Sequence, residues 1–196
     1  IGITGSNGKT TVTSLTGFLA EECGISTLVA GNIGTHVLDA WILIEQQQKY
    51  PELIVLELSS FQLETTHSLR YASSTVLNVS EDHLDRYRDL LEYAYVKANV
   101  FNNCAIQVLN LDDPLVTAML RTNLTQIGFA ANSADYGLIE VENKLWLRVA
   151  SENYLPTDEL QLVGRHNFMN VLACLALLAG AGYELGQFKV GLRKFA

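Results

Sequence analysis

A seven-residue run, Gly5-Ser6-Asn7-Gly8-Lys9-Thr10-Thr11, separates a short apolar start from a helical pattern and constrains this chain more than any other feature. Between a strand and a helix such a run is a phosphate-binding loop. Its glycines let successive N–H groups converge on an anion, the helix adds its positive end, Lys9 adds a point charge, and Thr10 offers a hydroxyl to Mg²⁺. Gly5, Ser6, Asn7, Gly8, Lys9, Thr10 and Thr11 are therefore the candidate phosphate-binding residues. The spacing departs from G-x-x-x-x-G-K-[ST], because Ile3 stands five before Gly8. A glycine-rich turn that merely caps a helix is the alternative.

A loop of this kind sits on a parallel sheet, and the rest of the chain has that rhythm. Short β-branched or apolar runs at 1–4, 26–30, 53–58, 74–78, 105–109 and 124–129 predict strands, and the segments 9–23, 35–48, 87–102 and 114–121 between them predict helices. The fold class is α/β, a mostly parallel sheet with helices on both faces. After Gly137 the helical period stops, and 138–141, a Glu142-Asn143-Lys144 turn and 145–149 predict a small antiparallel hairpin. Helices over 166–181 and 185–195 close the chain. At 196 residues, with 48% hydrophobic and 17% charged residues, this is one domain, 1–196. Beginning on a strand residue and stopping in a helical pattern, it is expected to be a piece of a longer polypeptide.

A net charge of −8 with no Lys/Arg-rich run argues against a nucleic-acid surface, so local groups must bind any anionic ligand. Cys23, Cys104 and Cys174 are odd in number and never in C-x-x-C spacing. They read as small buried hydrophobes in a reducing compartment, by default the cytoplasm. The most apolar stretch, 171–181, is too short to span a bilayer, so no membrane insertion is expected.

The metal of a phosphate loop needs an acidic partner at a neighbouring strand end. Leu53-Ile54-Val55-Leu56-Glu57 supplies one: four apolar residues bury the strand, and Glu57 emerges at its carboxyl end. The following Ser59, Ser60 and Gln62 either orient a substrate or cap a helix. A second strand leads into Ser80-Glu81-Asp82-His83-Leu84-Asp85-Arg86-Tyr87, whose acids and imidazole suit metal or substrate, or else helix capping and the surface. Lys97 shares a helical stripe with Leu90, Ala94 and Phe101, where most lysines reach back to water. Asn167 and Asn170, three apart at the start of the long apolar helix, share a face and can read a purine edge; an N-cap role for Asn167 is the rival. Gly31-Asn32-Ile33-Gly34 is another tight loop at the same sheet end.

Taken in order, the runs 5–11, Gly31-Asn32-Ile33-Gly34, Glu57-Leu58-Ser59-Ser60-Phe61-Gln62-Leu63-Glu64, 78–87 and Gly164-Arg165-His166-Asn167 closely resemble the Mur ligases, over nearly the whole chain. The runs 59–64 and 81–87 are most similar to the branch that adds D-glutamate. Gly-[Ser/Thr]-Asn-Gly-Lys is that family's own form of the phosphate loop. The resemblance implies an ATP-dependent amide ligase of bacterial peptidoglycan precursor synthesis, in the cytoplasm. Its partners are a nucleotide-sugar substrate and D-glutamate, and its reaction passes through an acyl phosphate. It also implies that Lys9, Glu57, His83 and a carbamylated Lys97 are catalytic, that Thr10, Glu57, His83 and Lys97 hold Mg²⁺, that Asn167 and Asn170 flank adenine, and that Asn32, Ser59 and Gln62 face the nucleotide sugar. Members have three domains, so this chain is expected to be the central ATPase domain without its uridine-binding and amino-acid-binding neighbours, and incomplete alone. Rival functions are a GTPase, although Asn110-Leu111-Asp112-Asp113 lacks the lysine of a guanine reader; another Mur or folylpolyglutamate synthase-like ligase; and a nucleotide-binding module without turnover.

Overall fold

The computed structural model describes residues 1–81, 86–133 and 135–196. Six strands, β1 (Gly2–Thr4), β2 (Thr27–Gly31), β3 (Leu53–Glu57), β4 (Tyr71–Val76), β5 (Cys104–Asn110) and β6 (Thr125–Phe129), form one sheet in the order β2-β3-β1-β4-β5-β6. Every pairing in it is parallel. After β1 the chain moves to one side, and after β3 it crosses back over β1 to β4. The carboxyl ends of β1, β3 and β4 therefore converge where the winding reverses, the crevice in which open α/β sheets bind ligands.

Helices α1 (Lys9–Glu22) and α6 (Arg165–Gly180) cover one face; α3 (Ser60–Thr65), α4 (Leu90–Lys97) and a 3₁₀ turn at Ala98–Phe101 cover the other. Two apolar clusters result, one around Ile3, Leu15, Val108 and Leu175, the other around Leu63, Tyr93, Val100 and Phe101. The run Val171–Leu178 of α6 is buried all round, because the helix is enclosed by α1, the main sheet and a three-stranded antiparallel sheet of β7 (Gly137–Val141), β8 (Lys144–Val149) and β9 (Glu152–Pro156). A helix apolar on every side needs such an enclosure. The remaining helices are α2 (Val37–Gln47), α5 (Pro114–Thr117) and α7 (Lys189–Leu192).

The architecture is the expected one, with local differences. Strand β4 starts three residues before the predicted 74 and ends at 76. Its serines are unpromising strand formers, yet Ser73 Oγ donates to Leu177 O of α6 at 2.7 Å and Ser74 Oγ to Val100 O on the opposite face at 3.0 Å. The predicted helix over 87–102 is shorter: Asp89 caps α4 by accepting from Glu92 N, and beyond Lys97 the chain tightens into the 3₁₀ turn. The helix predicted to 121 stops at Thr117, and that over 185–195 resolves into a 3₁₀ turn at Leu185–Phe188 and α7. β9 extends the predicted hairpin by a third strand. No helix among the described residues is long and apolar enough to cross a membrane. The cysteines are free; Cys104 and Cys174 are buried and Cys23 is half-buried.

Candidate functional site

The loop between β1 and α1 is closed by Gly8, the N-cap of α1, at φ +82, in the left-handed region that glycine tolerates best. A side chain there would also meet Asn170 Oδ1 at 2.7 Å, so the loop lies directly against the start of α6. The first helical bond runs from Val12 N to Gly8 O. The N–H groups of Gly8, Lys9, Thr10 and Thr11 consequently make no hydrogen bond among the described residues. Such unmatched donors at the positive end of a helix suit an anion. Lys9 bends back over the loop, donating from Nζ to Gly5 O at 2.8 Å and Ser6 O at 3.0 Å.

Ser6 and Asn7 are bonded to the segment just after β4. Ser6 N donates to Asn78 O at 3.0 Å and Asn7 N to Asn78 Oδ1 at 2.8 Å, while Ser6 Oγ accepts from Ser80 N at 3.0 Å. Their amides are committed to the end of β4, which leaves the four N–H groups from Gly8 onward to face a ligand.

Glu57, at the end of β3, is only 1% exposed. Its Oε2 accepts from Thr10 Oγ1 and its Oε1 from Asn32 Nδ2, both at 3.0 Å. Neither partner is charged. Held among the described residues by neutral donors, this buried carboxylate forms with the Thr10 hydroxyl a set of hard oxygens, the kind Mg²⁺ takes. Asn32 reaches Glu57 because Gly31 holds φ +118 and its Cα packs against the Glu57 backbone. Thr10 and Glu57 are thus brought together as the sequence predicts.

Lys97 does not reach back to water. It is 1% exposed, its Nζ donates to Gly5 O at 3.0 Å and lies 4.3 Å from the centroid of the Tyr93 ring. Lys9 and Lys97 therefore converge on one carbonyl at the mouth of the loop. His83, Asp82 and Asp85 lie outside the described residues. The segment after them is tied down by Glu64, which accepts from Arg86 Nη2 at 2.8 Å and Tyr87 Oη at 2.7 Å. These two bonds, the tyrosine's foremost, hold the Glu64 carboxyl below the usual carboxylate range. Among the described residues no three His, Cys, Asp or Glu side chains gather as a metal cluster.

Two pockets flank the loop. One of about 280 Å³ is bordered by Lys9, Asn32, Ser59, Phe61, Tyr93 and Lys97. Of the two roles open to Ser59 and Gln62, helix capping is made here: Ser59 Oγ accepts from Gln62 N at 3.2 Å, and Gln62 Oε1 accepts from Ser59 N at 2.9 Å, the reciprocal box that starts α3. The other pocket, about 440 Å³, has Gly8, Asn110, Asp112, Phe129, Asn167 and Asn170 in its wall. Asn167 and Asn170 share its face, as the spacing predicts. The N-cap alternative for Asn167 fails, since Gly164 occupies that position and Asn167 Nδ2 donates to Val163 O at 2.9 Å from within α6.

Sequence reasoning missed the bracing of these strand ends. Asn110 Nδ2 donates to Leu77 O at 2.8 Å, Asp113 Oδ2 accepts from Val79 N at 2.8 Å, and Asp112 Oδ2 accepts from Ala131 N at 2.7 Å. The turn weighed as a guanine reader instead ties β5 to the loops after β4 and β6. A cluster of Asn and Asp directly after an apolar strand was the available signal.

The Mur ligase middle domain model matches residues 3–178. Curated relatives include the "UDP-N-acetylmuramoylalanine--D-glutamate ligase" of Chromobacterium violaceum, 52% identical over the whole of this chain and 43% of that protein, and that of Haemophilus influenzae strain 86-028NP, 46% identical over the whole chain and 44% of that protein. The chain thus spans less than half the length of these relatives. Among solved structures, a UDP-N-acetylmuramoyl-L-alanyl-D-glutamate--2,6-diaminopimelate ligase superposes with a TM-score of 0.79 at 22% identity, over all of this chain and 46% of its own. The UDP-N-acetylmuramate-alanine ligase of Thermotoga maritima does so with a TM-score of 0.70 at 21% identity, over all of this chain and 44% of its own. These structures share the fold, and with the match over 3–178 and the relatives at half identity, the chain belongs to the Mur ligase middle domain family.

Proposed function

We propose that this chain is the ATP-binding central domain of a ligase that joins D-glutamate to UDP-N-acetylmuramoyl-L-alanine in the bacterial cytoplasm, as one step of cell-wall precursor synthesis. The observation that carries the reading is the juxtaposition of the unmatched amides of Gly8 to Thr11 with the buried Glu57–Thr10 pair, an anion site beside a cation site. The polyphosphate lies on those amides, and Lys9 leaves the Gly5 and Ser6 carbonyls to meet it. Thr10 and Glu57 would hold Mg²⁺, which when bound would neutralise charge on the transferring phosphoryl group. Adenine occupies the pocket walled by Asn167 and Asn170, and the terminal phosphate points past Lys9 toward the pocket bordered by Asn32 and Ser59.

There the L-alanyl carboxylate attacks the terminal phosphorus and ADP departs. The amine of D-glutamate adds to the acyl phosphate carbonyl, loses a proton, and expels inorganic phosphate as the amide forms. The domain's part is positioning and charge neutralisation. Lys97 as a carbamate, with His83, would hold a second metal ion. Asn32, Ser59 and Gln62 border the nucleotide sugar, Gln62 by way of the cap it forms with Ser59. The uridine-binding and amino-acid-binding domains lie in the parts of the relatives that this chain does not match.

Calorimetry with Mg-ATP tests the reading. Lys9→Ala should weaken binding by roughly 2–4 kcal/mol, the loss of a desolvated charge-assisted contact. The chain alone should gain thermal stability with Mg-ATP or Mg-ADP yet form no amide product. Equal affinity of variant and parent refutes the phosphate-loop assignment, and product from the isolated chain refutes its incompleteness.

A further inference from the structure

We propose that Asn78 is a positioning residue for the nucleotide: its side-chain amide fixes the phosphate loop in the shape that presents the N–H groups of Gly8 to Thr11. The proposal rests on the phosphate-loop reading above. Asn78 is half-buried just beyond the end of β4 and grips one residue twice. Its Oδ1 accepts from Asn7 N at 2.8 Å, and its Nδ2 donates to Asn7 O at 3.0 Å. The side-chain amide thus pairs with the Asn7 backbone as a neighbouring strand would. Its own backbone oxygen accepts from Ser6 N at 3.0 Å, so three bonds link one residue to two consecutive loop positions.

This grip has a chemical consequence. The Asn7 amide lies on the approach to Gly8, and the structure satisfies it internally. Only an amide side chain carries a donor and an acceptor side by side, so aspartate, serine or alanine each lose at least half of the grip. Its base is rigid, because the adjacent Val79 N is held by Asp113 Oδ2 at 2.8 Å and Leu77 O by Asn110 Nδ2 at 2.8 Å. Asn78 does not need to touch a phosphate to matter. Phosphate binding by a loop of amides depends on their convergence, and a loop released from Asn78 must be ordered by the ligand at the expense of affinity.

Asn78→Ala separates positioning from folding. Its dissociation constants for Mg-ADP and for inorganic tripolyphosphate, which carries no adenine to reach the pocket that Asn78 also borders, should both rise at least tenfold. In amide exchange followed by NMR, Asn7 N–H should exchange at least tenfold faster than in the parent. Ser6 N–H, bonded to the Asn78 backbone, should not change, which makes it an internal control. Asn78→Ser carries the same expectations if the alanine variant does not fold. Tripolyphosphate affinity equal to the parent's, unchanged Asn7 exchange, or failure of both variants to fold each overturns the proposal. If the parent chain bound no ADP, the phosphate-loop reading would fall, and the exchange of Asn7 would still decide whether Asn78 holds the loop.

Discussion

Gly31→Ala should be among the most damaging methyl additions in this chain. Gly31 closes β2 at φ +118, where an L side chain is strained by about 1–3 kcal/mol. The new Cβ would fall well inside contact distance of the Glu57 carbonyl oxygen, with Glu57 C at 3.1 Å and Glu57 N at 3.2 Å. These are backbone atoms of a central strand paired in register with Gly31, and they cannot swing aside like a side chain. The β2 end must move instead. That movement pulls apart Asn32 N to Glu57 O at 2.9 Å and Asn32 Nδ2 to Glu57 Oε1 at 3.0 Å. Two hydrogen bonds at about 0.5–1.5 kcal/mol each bring the total to roughly 2–6 kcal/mol. For a chain of this length a loss of that size lowers the melting temperature by on the order of 10 °C. Scanning calorimetry with a urea titration measures it. Gly24→Ala is the control: Gly24 has φ +78 but open space where its Cβ would go, so it isolates backbone strain at about 1–2 kcal/mol. If the two variants melt together, steric conflict with Glu57 is not what keeps glycine at 31.

Three further outcomes are expected. Tyr71 has a buried hydroxyl without a partner among the described residues, and burial pushes its ionisation from about 10 up to about 12. The unfolded chain therefore releases this proton first, and the stability that Tyr71 contributes falls as pH rises between those values. Tyr71→Phe should gain about 1 kcal/mol at neutral pH and lack that alkaline decline, as urea midpoints near pH 8 and pH 11 would reveal. Glu57→Gln keeps an oxygen for Asn32 while removing the buried charge. Its metal-free melting temperature should be unchanged or higher, and the Mg²⁺-dependent gain in ADP affinity should drop at least tenfold; a retained Mg²⁺ effect would exclude Glu57 as a ligand. In the full-length ligase, Lys97→Ala should lose activity and recover part of it with added short-chain carboxylates that fill the vacated space, whereas full activity before any addition removes Lys97 from the mechanism.

What the sequence by itself determined was the local chemistry. The alternation of apolar runs and helical patterns implied a parallel sheet, since a strand covered on both faces has to be apolar along its length, as 53–56 is. The placement of Gly8, Lys9 and Thr10 between strand and helix identified the loop, because glycine, charge and hydroxyl each answer a local requirement. The spacing of Asn167 and Asn170 placed both on one helical face. Other features depend on what lies across the sheet. Ser73 lay outside the predicted strand, and it joins β4 with its hydroxyl donated to a helix carbonyl 104 residues away. Lys97 looked like a lysine that would reach water, and tertiary packing enclosed it against Tyr93 and the Gly5 carbonyl. Asn78 lies 71 residues from the loop residue it grips, and the guanine-reader candidate at 110–113 is a brace between strand ends. Periodicity reports which face of an element is apolar. Which polar group meets which across two strands is set by the winding of the sheet and the register of β1 between β3 and β4, and that is decided only when the chain has folded.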